Sequence, residues 1–167
     1  MSNIKDTLIR VALEEAGKNY HGRSDSSYWN LQELADHFEG IDTEALNDDW
    51  SGAFVYRCAV LAGYALPARY PDPRVRDAFW RVEAWVDYAN LPKIHLWRTD
   101  FDDLEPGDVV VFQPEEGRSP LMGVALDVGV DSLTVAVGNY RNHSAVIDRE
   151  LADLAGFLTL KEPADPE

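Results

Sequence analysis

At 167 residues with 46% hydrophobic content, the chain is long enough for one well-buried core and too short for two domains of ordinary size. Its 15 basic and 30 acidic side chains give a formal charge of -15, a field that repels phosphate backbones and anionic head groups, so nucleic acid and membrane surfaces are not expected partners. The single cysteine excludes an internal disulfide and any CxxC metal or redox site.

The opening MSNIKDTLIRVALEEAGK interrupts its apolar positions with charges and has no small-residue cleavage site, and no run is long enough to span a bilayer, so the cytoplasm is the expected location. Ile4, Leu8, Val11, Ala12 and Glu15 share one helical face, predicting a helix over residues 3–16 with Gly17 as its stop. KNYHGRSDSSYWN reads as a loop, and LQELADHFEG as a short helix closed by Gly40. After IDTEALNDD, the spacing of Trp50, Phe54, Cys58 and Leu61 predicts a buried helix, capped by Asp48 or Asp49 and ended by Gly63.

LPARYPDP is a proline-rich connection, and RVRDAFWRVEAWVDYAN places Val75, Phe79, Val82, Val86 and Ala89 on one face of a third long helix. Beyond Leu91 the pattern changes to short β-branched runs, DVVVFQ, MGVALDVG, SLTVAVGN, SAVIDRE and AGFLTLK, each bounded by turn residues. Helices followed by about five closely spaced strands predict an α+β domain, with helices packed on a small antiparallel sheet or open barrel. We expect a single domain over 1–161 and a disordered acidic tail over 162–167.

The run DDWSGAFVYRCAVLAGYALP resembles the nucleophile helix of CHAP-type amidohydrolases and their NlpC-like relatives, where Trp-Cys-x-Ala-Phe-Val precedes an aromatic. Trp50, Ala53, Phe54, Val55 and Tyr56 match that pattern. The likeness continues through RYPDPRV, the AW and YANLP segments, LEPGDVVVF, VGNYRNHSAV and GFLTL, covering about residues 45–160. It implies a papain-like fold in which a cysteine at a helix N-terminus, its thiol pKa lowered by the helix dipole and a neighbouring histidine, attacks an amide carbonyl.

The catalytic residues implied by the resemblance are replaced here. Ser51 stands at the cysteine position, and a hydroxyl needs a positioned base to become nucleophilic. In SPLMGVALDV, Leu121 stands at the histidine position while Gly123 and Val124 still match; Leu121 can neither accept nor orient a proton. The orienting position falls near Val137 or Asn139, and Asn139 has no aligned imidazole to orient. Nucleophile and base act as a unit, so loss of either removes most activity.

Other residues offer few replacements. Cys58 lies two turns after Ser51, about 10 Å deeper along the helix, and reads as a small buried hydrophobe. His143 in the NYRNHS turn is the one candidate base for Ser51; His21, His37 and His95 form no ligand spacing. Asp48, Asp49, Asp102, Asp103, Glu105 and Asp108 lack an EF-hand pattern and read as solvated surface, and no cofactor or metal is expected. Trp50 and Trp85 read as core, while Tyr28, Trp29 and Tyr140 are candidates to line a groove.

The expected function is therefore a catalytically inactive domain of this type. It would bind a peptide, a muropeptide fragment or a protein partner in a remnant groove near Ser51, Leu121 and Asn139, with Trp50, Met122, Tyr140 and His143 around it. Two alternatives stay open: an active serine amidase or esterase using Ser51 with His143, and an acidic interaction or inhibitory protein for a basic partner.

Overall fold

The structure, a computed structural model, describes residues 3–21, 31–41, 43–46, 49–118 and 120–162. The groove candidates Tyr28 and Trp29, the capping candidate Asp48 and the tail beyond Glu162 lie outside the described residues.

Helix α1 spans Ile4–Ala16 and begins where the Asn3 side chain accepts a hydrogen bond from the Asp6 N–H at 2.9 Å. It buries Leu8, Val11, Ala12 and Glu15, the face given by its sequence period. Two single-turn helices follow, α2 at Gln32–Ala35 and α3 at Thr43–Leu46. Helix α4, Ser51–Ala62, is buried along most of its length and ends at Gly63, whose φ of 107° lies in the left-handed region that a side chain would resist.

Helix α5 covers only Val82–Ala89, about half the length expected from the apolar period, and residues 74–81 form turns instead. The cause is tertiary. The Phe79 N–H donates to the Ala68 carbonyl at 2.8 Å, a bond no continuous helix could make. Its fully buried ring packs against Tyr56, Trp85 and Tyr88 with centroid separations of 6.0, 4.6 and 5.4 Å. Aromatic docking therefore overrides the local period.

The five expected strands all form: β1 Val109–Phe112, β2 Met122–Val128, β3 Ser132–Tyr140, β4 His143–Glu150 and β5 Leu154–Leu158. All pairings are antiparallel, in the order β4-β3-β2-β1-β5. The edge strands β4 and β5 are joined by the three residues Leu151–Asp153 alone. Four residue steps reach at most about 14 Å, whereas four strand spacings in a flat sheet span about 19 Å. The sheet must curl to bring its edges together, giving an open barrel whose two edge strands do not pair with each other among the described residues.

Side chains leave this sheet on two covered faces. Val109, Val111, Met122, Val124, Ala136 and Leu158 join the core shared with the helices. Val110, Phe112, Ala125, Val135, Val137 and Phe157 join a second cluster with Leu104, Leu133, Ile147 and Leu154. Burial on both faces explains why β1 reads as an unbroken apolar run rather than an alternation. Gly123 is required at the centre of the ladder, since a Cβ there would stand 2.5 Å from the Ala136 carbonyl oxygen.

Candidate functional site

Ser51 opens α4 and is completely buried. Its Oγ donates to the Pro120 carbonyl and accepts from the Met122 N–H, both at 3.3 Å. The β2–β3 register ends at Gly123 opposite Val137, so the Met122 N–H lies just beyond the ladder and the serine oxygen receives it. On the other side, the Phe112 N–H donates to the Leu121 carbonyl at 3.0 Å. Ser51 thus clips the start of α4 to the start of β2, with both of its partners drawn from the backbone.

The helix N-terminus around it is closed by packing. A Cβ on Gly52 would approach the Trp80 carbonyl oxygen to 2.9 Å, and the Trp85 indole N–H donates to the carbonyls of Phe79 and Gly52 at 2.9 and 3.3 Å. Gly138 of β3 lies equally close, where an added Cβ would fall 2.6 Å from Phe54 Cβ and 2.9 Å from Trp50 Cζ3. Trp50 and Met122 are both fully buried in the helix-side core. They support the floor beneath the sheet and do not line an open surface.

Leu121 lies between the two backbone groups that Ser51 holds. Its side chain is partly buried against the second apolar cluster and lines a groove of about 1050 Å³. The remaining walls come from Phe112 at the end of β1 and residues 113–115, 117 and 118 after it, from Asn139, Tyr140, Arg141 and Asn142 at the β3–β4 turn, and from Arg149, Ala152 and Asp153. The open mouth of a curled sheet is a common place for ligand binding. Three expected positions, Leu121, Asn139 and Tyr140, meet in this groove; Ser51 lies behind Leu121 and does not line it.

His143 is exposed at the first position of β4 and forms a bridge with His21, their ring centroids 6.3 Å apart. Neighbouring Ser144 turns the hairpin toward α1: its hydroxyl donates to the Ala16 carbonyl at 3.1 Å and accepts from the Tyr20 N–H at 2.9 Å. The hairpin tip is thereby anchored to the C-terminal end of α1. Among the described residues, no ring nitrogen is a hydrogen-bond partner of Ser51.

The sequence reading did not single out the groove's cations. Arg118, Arg141 and Arg149 all line it, although acidic residues outnumber basic ones two to one in the chain. The Arg141 and Arg149 guanidiniums lie over the Tyr140 ring at 5.5 and 5.0 Å from its centroid, and Arg149 donates to the Tyr140 oxygen at 2.7 Å. That hydrogen bond, aided by the charges of all three arginines, lowers the phenol pKa below its ordinary value. One sequence signal was available. It is the Asn-rich run NYRN, a turn signal that sets Arg141 beside Tyr140; Asn139, Arg141 and Asn142 adopt left-handed φ values of 61, 50 and 70° there.

Elsewhere, charged groups near α4 serve packing. Asp49 does not cap the helix: its Oδ1 is buried without a partner and Arg81 Nε is 3.6 Å from Oδ2, so burial pushes its carboxyl pKa up to about 6. Cys58 is fully buried, and burial with the nearby Glu15 charge raises its thiol pKa. Glu15, also buried, binds Arg57 at 2.6 Å, Lys18 at 2.7 Å and the Tyr20 hydroxyl at 2.8 Å. Burial alone would raise its pKa, but these hydrogen bonds win and lower it. Arg57 also donates to His37 Nε2 at 3.3 Å, and burial and the arginine charge lower the His37 pKa.

Asp108, a candidate surface carboxylate, is instead fully buried, between Lys5 at 2.9 Å and the Thr159 hydroxyl at 2.6 Å. It ties α1, the start of β1 and the end of β5 together. Among the described residues, no helix is long and apolar enough to cross a membrane. No protein-family model, curated protein or solved structure matches the chain.

Proposed function

We propose that this chain is a catalytically inactive, papain-like domain of the CHAP and NlpC type that binds a peptide in the groove beside Leu121, Asn139 and Tyr140. The observation that carries the reading is the state of Ser51. A serine nucleophile needs an exposed Oγ and a base within hydrogen-bond reach. Here the hydroxyl is fully buried, engaged on both sides by backbone, and separated from the groove by a leucine. The groove itself is open and carries the mixture of apolar and polar groups that suits a peptide segment, such as a muropeptide stem or a loop of a protein partner.

Two measurements on the full chain test this together. A serine-directed fluorophosphonate should leave Ser51 unlabelled in the folded protein, and a pool of short peptides should shift amide resonances of residues 139–142 and Leu121 without being consumed. Labelling at Ser51 or hydrolysis of the pool would return the chain to the hydrolases. Perturbation confined to other surfaces would remove the groove from the reading.

A further inference from the structure

Three arginines line the groove of an otherwise acidic chain. Arg57, Arg74, Arg76, Arg81, Arg98 and Arg118 each have a carboxylate within 4.0 Å, as an acidic surface would provide. Arg141 and Arg149 have none among the described residues; nor do Arg10 and Arg69, which do not line the groove. Arg141 contributes only its contact with the Tyr140 ring, and Arg149 spends its hydrogen bonds on the Tyr140 oxygen and the Asp148 carbonyl. The groove's own acids are occupied: Glu115 pairs with Arg118 at 3.4 Å, and Asp153 accepts from the Glu150 N–H at 3.3 Å. Two cations therefore converge on one aromatic ring, neither within 4.0 Å of a carboxylate among the described residues, in a chain with a surplus of 15 negative charges.

Bringing like charges together is unfavourable unless something offsets their repulsion. The Tyr140 π-face and oxygen offset part of it, and an anion would offset more. A planar guanidinium presents paired N–H donors that match the two oxygens of a carboxylate. Beside them, Leu121 and Phe112 offer an apolar shelf.

Resting on the peptide-binding reading above, we propose that the groove selects a peptide by its free C-terminal carboxylate, which the guanidiniums of Arg141 and Arg149 bind at the edge of Tyr140 while the preceding side chains lie on Leu121 and Phe112. The occupant is thereby narrowed from any peptide segment to a chain end. An internal loop of a folded protein lacks the required group.

The test titrates the isotopically labelled full chain with N-acetyl-Leu-Ala-Ala bearing a free carboxylate and, separately, with the same peptide as its C-terminal amide. The acid should shift resonances of Leu121 and residues 139–142 and bind at least tenfold more tightly than the amide, with affinity falling as salt rises. Arg141→Gln and Arg149→Gln should each weaken the acid at least tenfold and leave the amide unchanged. Arg141 is exposed, so its variant keeps the fold even if loss of the Arg149 contact to Tyr140 disturbs the turn. Equal binding of acid and amide in the groove overturns carboxylate recognition and leaves the peptide groove standing. No shift with either peptide overturns both.

Discussion

Replacing Ser51 with alanine isolates what its hydroxyl does. Met122 is fully buried and its N–H is received by Ser51 Oγ, so the variant leaves a buried donor without its partner. The Pro120 carbonyl belongs to an exposed residue, and water can take its lost bond. An orphaned buried amide costs about 1–3 kcal/mol, and the 3.3 Å separations place this pair in the weaker half, at about 1–2 kcal/mol. For a chain of this size that is a fall of about 2–8 °C in melting temperature. Urea unfolding should show a lower midpoint with an unchanged slope. The companion variant Ser51→Cys places a thiol in the same closed position, where burial raises its pKa and iodoacetamide should leave it unmodified until the protein unfolds. A stability within about 0.3 kcal/mol of the parent for the alanine variant, or rapid alkylation of the native cysteine variant, would refute the structural role.

Three further substitutions probe the framework around the site. Gly138→Ala drives a methyl group against Phe54 and Trp50 and should cost about 2 kcal/mol or more in urea unfolding; an unchanged midpoint would show that β3 can retreat from α4. Glu15→Ala removes the closest buried partner of Arg57, which keeps Glu33 at 3.2 Å, and should cost about 1–3 kcal/mol at pH 7. Because the native Glu15 pKa is lowered, this stabilisation is present above the unfolded value of 4.5 and is lost as pH falls through the native value, so the gap to wild type should narrow in acid. Asp49 has the opposite sign: its native pKa of about 6 exceeds the unfolded 3.8, so its favourable contribution is complete below about pH 4 and is lost as pH rises through 6. Asp49→Asn should therefore stabilise the protein by about 1–3 kcal/mol at pH 7 and by little at pH 4, and an equal effect at both would sink the assignment.

Elements governed by local pattern were legible in the sequence. The α1 face, the αL stop at Gly63 and all five strands followed from period and turn residues. The third long helix failed because Phe79 reaches back to Ala68 and into an aromatic cluster, a long-range contact with no local signature. Asp49 failed as a cap for a related reason: an aspartate before a helix is a good cap only if its oxygen can reach the first-turn amides, and here the chain turns it toward Arg81. The family resemblance placed Leu121, Asn139 and Tyr140 at one groove, yet it could not separate them from Ser51, Trp50 and Met122. Those three lie on the opposite side of a single layer of backbone. Arg149 reaches Tyr140 although the β3–β4 register sets it opposite Leu133, an approach with no local signature in the sequence.

That single layer also couples the buried serine to the open groove. Ser51 holds the backbone on both sides of Leu121, at the Pro120 carbonyl and the Met122 N–H, while Phe112 holds the carbonyl of Leu121 itself. Three hydrogen bonds thus fix the position of one groove-lining side chain. Loss of the serine bonds leaves the Phe112 hydrogen bond and the packing on the second apolar cluster, and Leu121 gains freedom that a ligand would have to remove on binding. On the peptide-binding reading, Ser51→Ala should consequently weaken binding by a few-fold without direct contact, while Glu15→Ala, which removes a buried partner of Arg57 and Tyr20 and none of the bonds to Pro120 or Met122, should act chiefly on stability. Comparing the two variants in the same titration separates positioning of the groove from general weakening of the fold. Equal losses of affinity at matched stability would assign the effect to the fold as a whole.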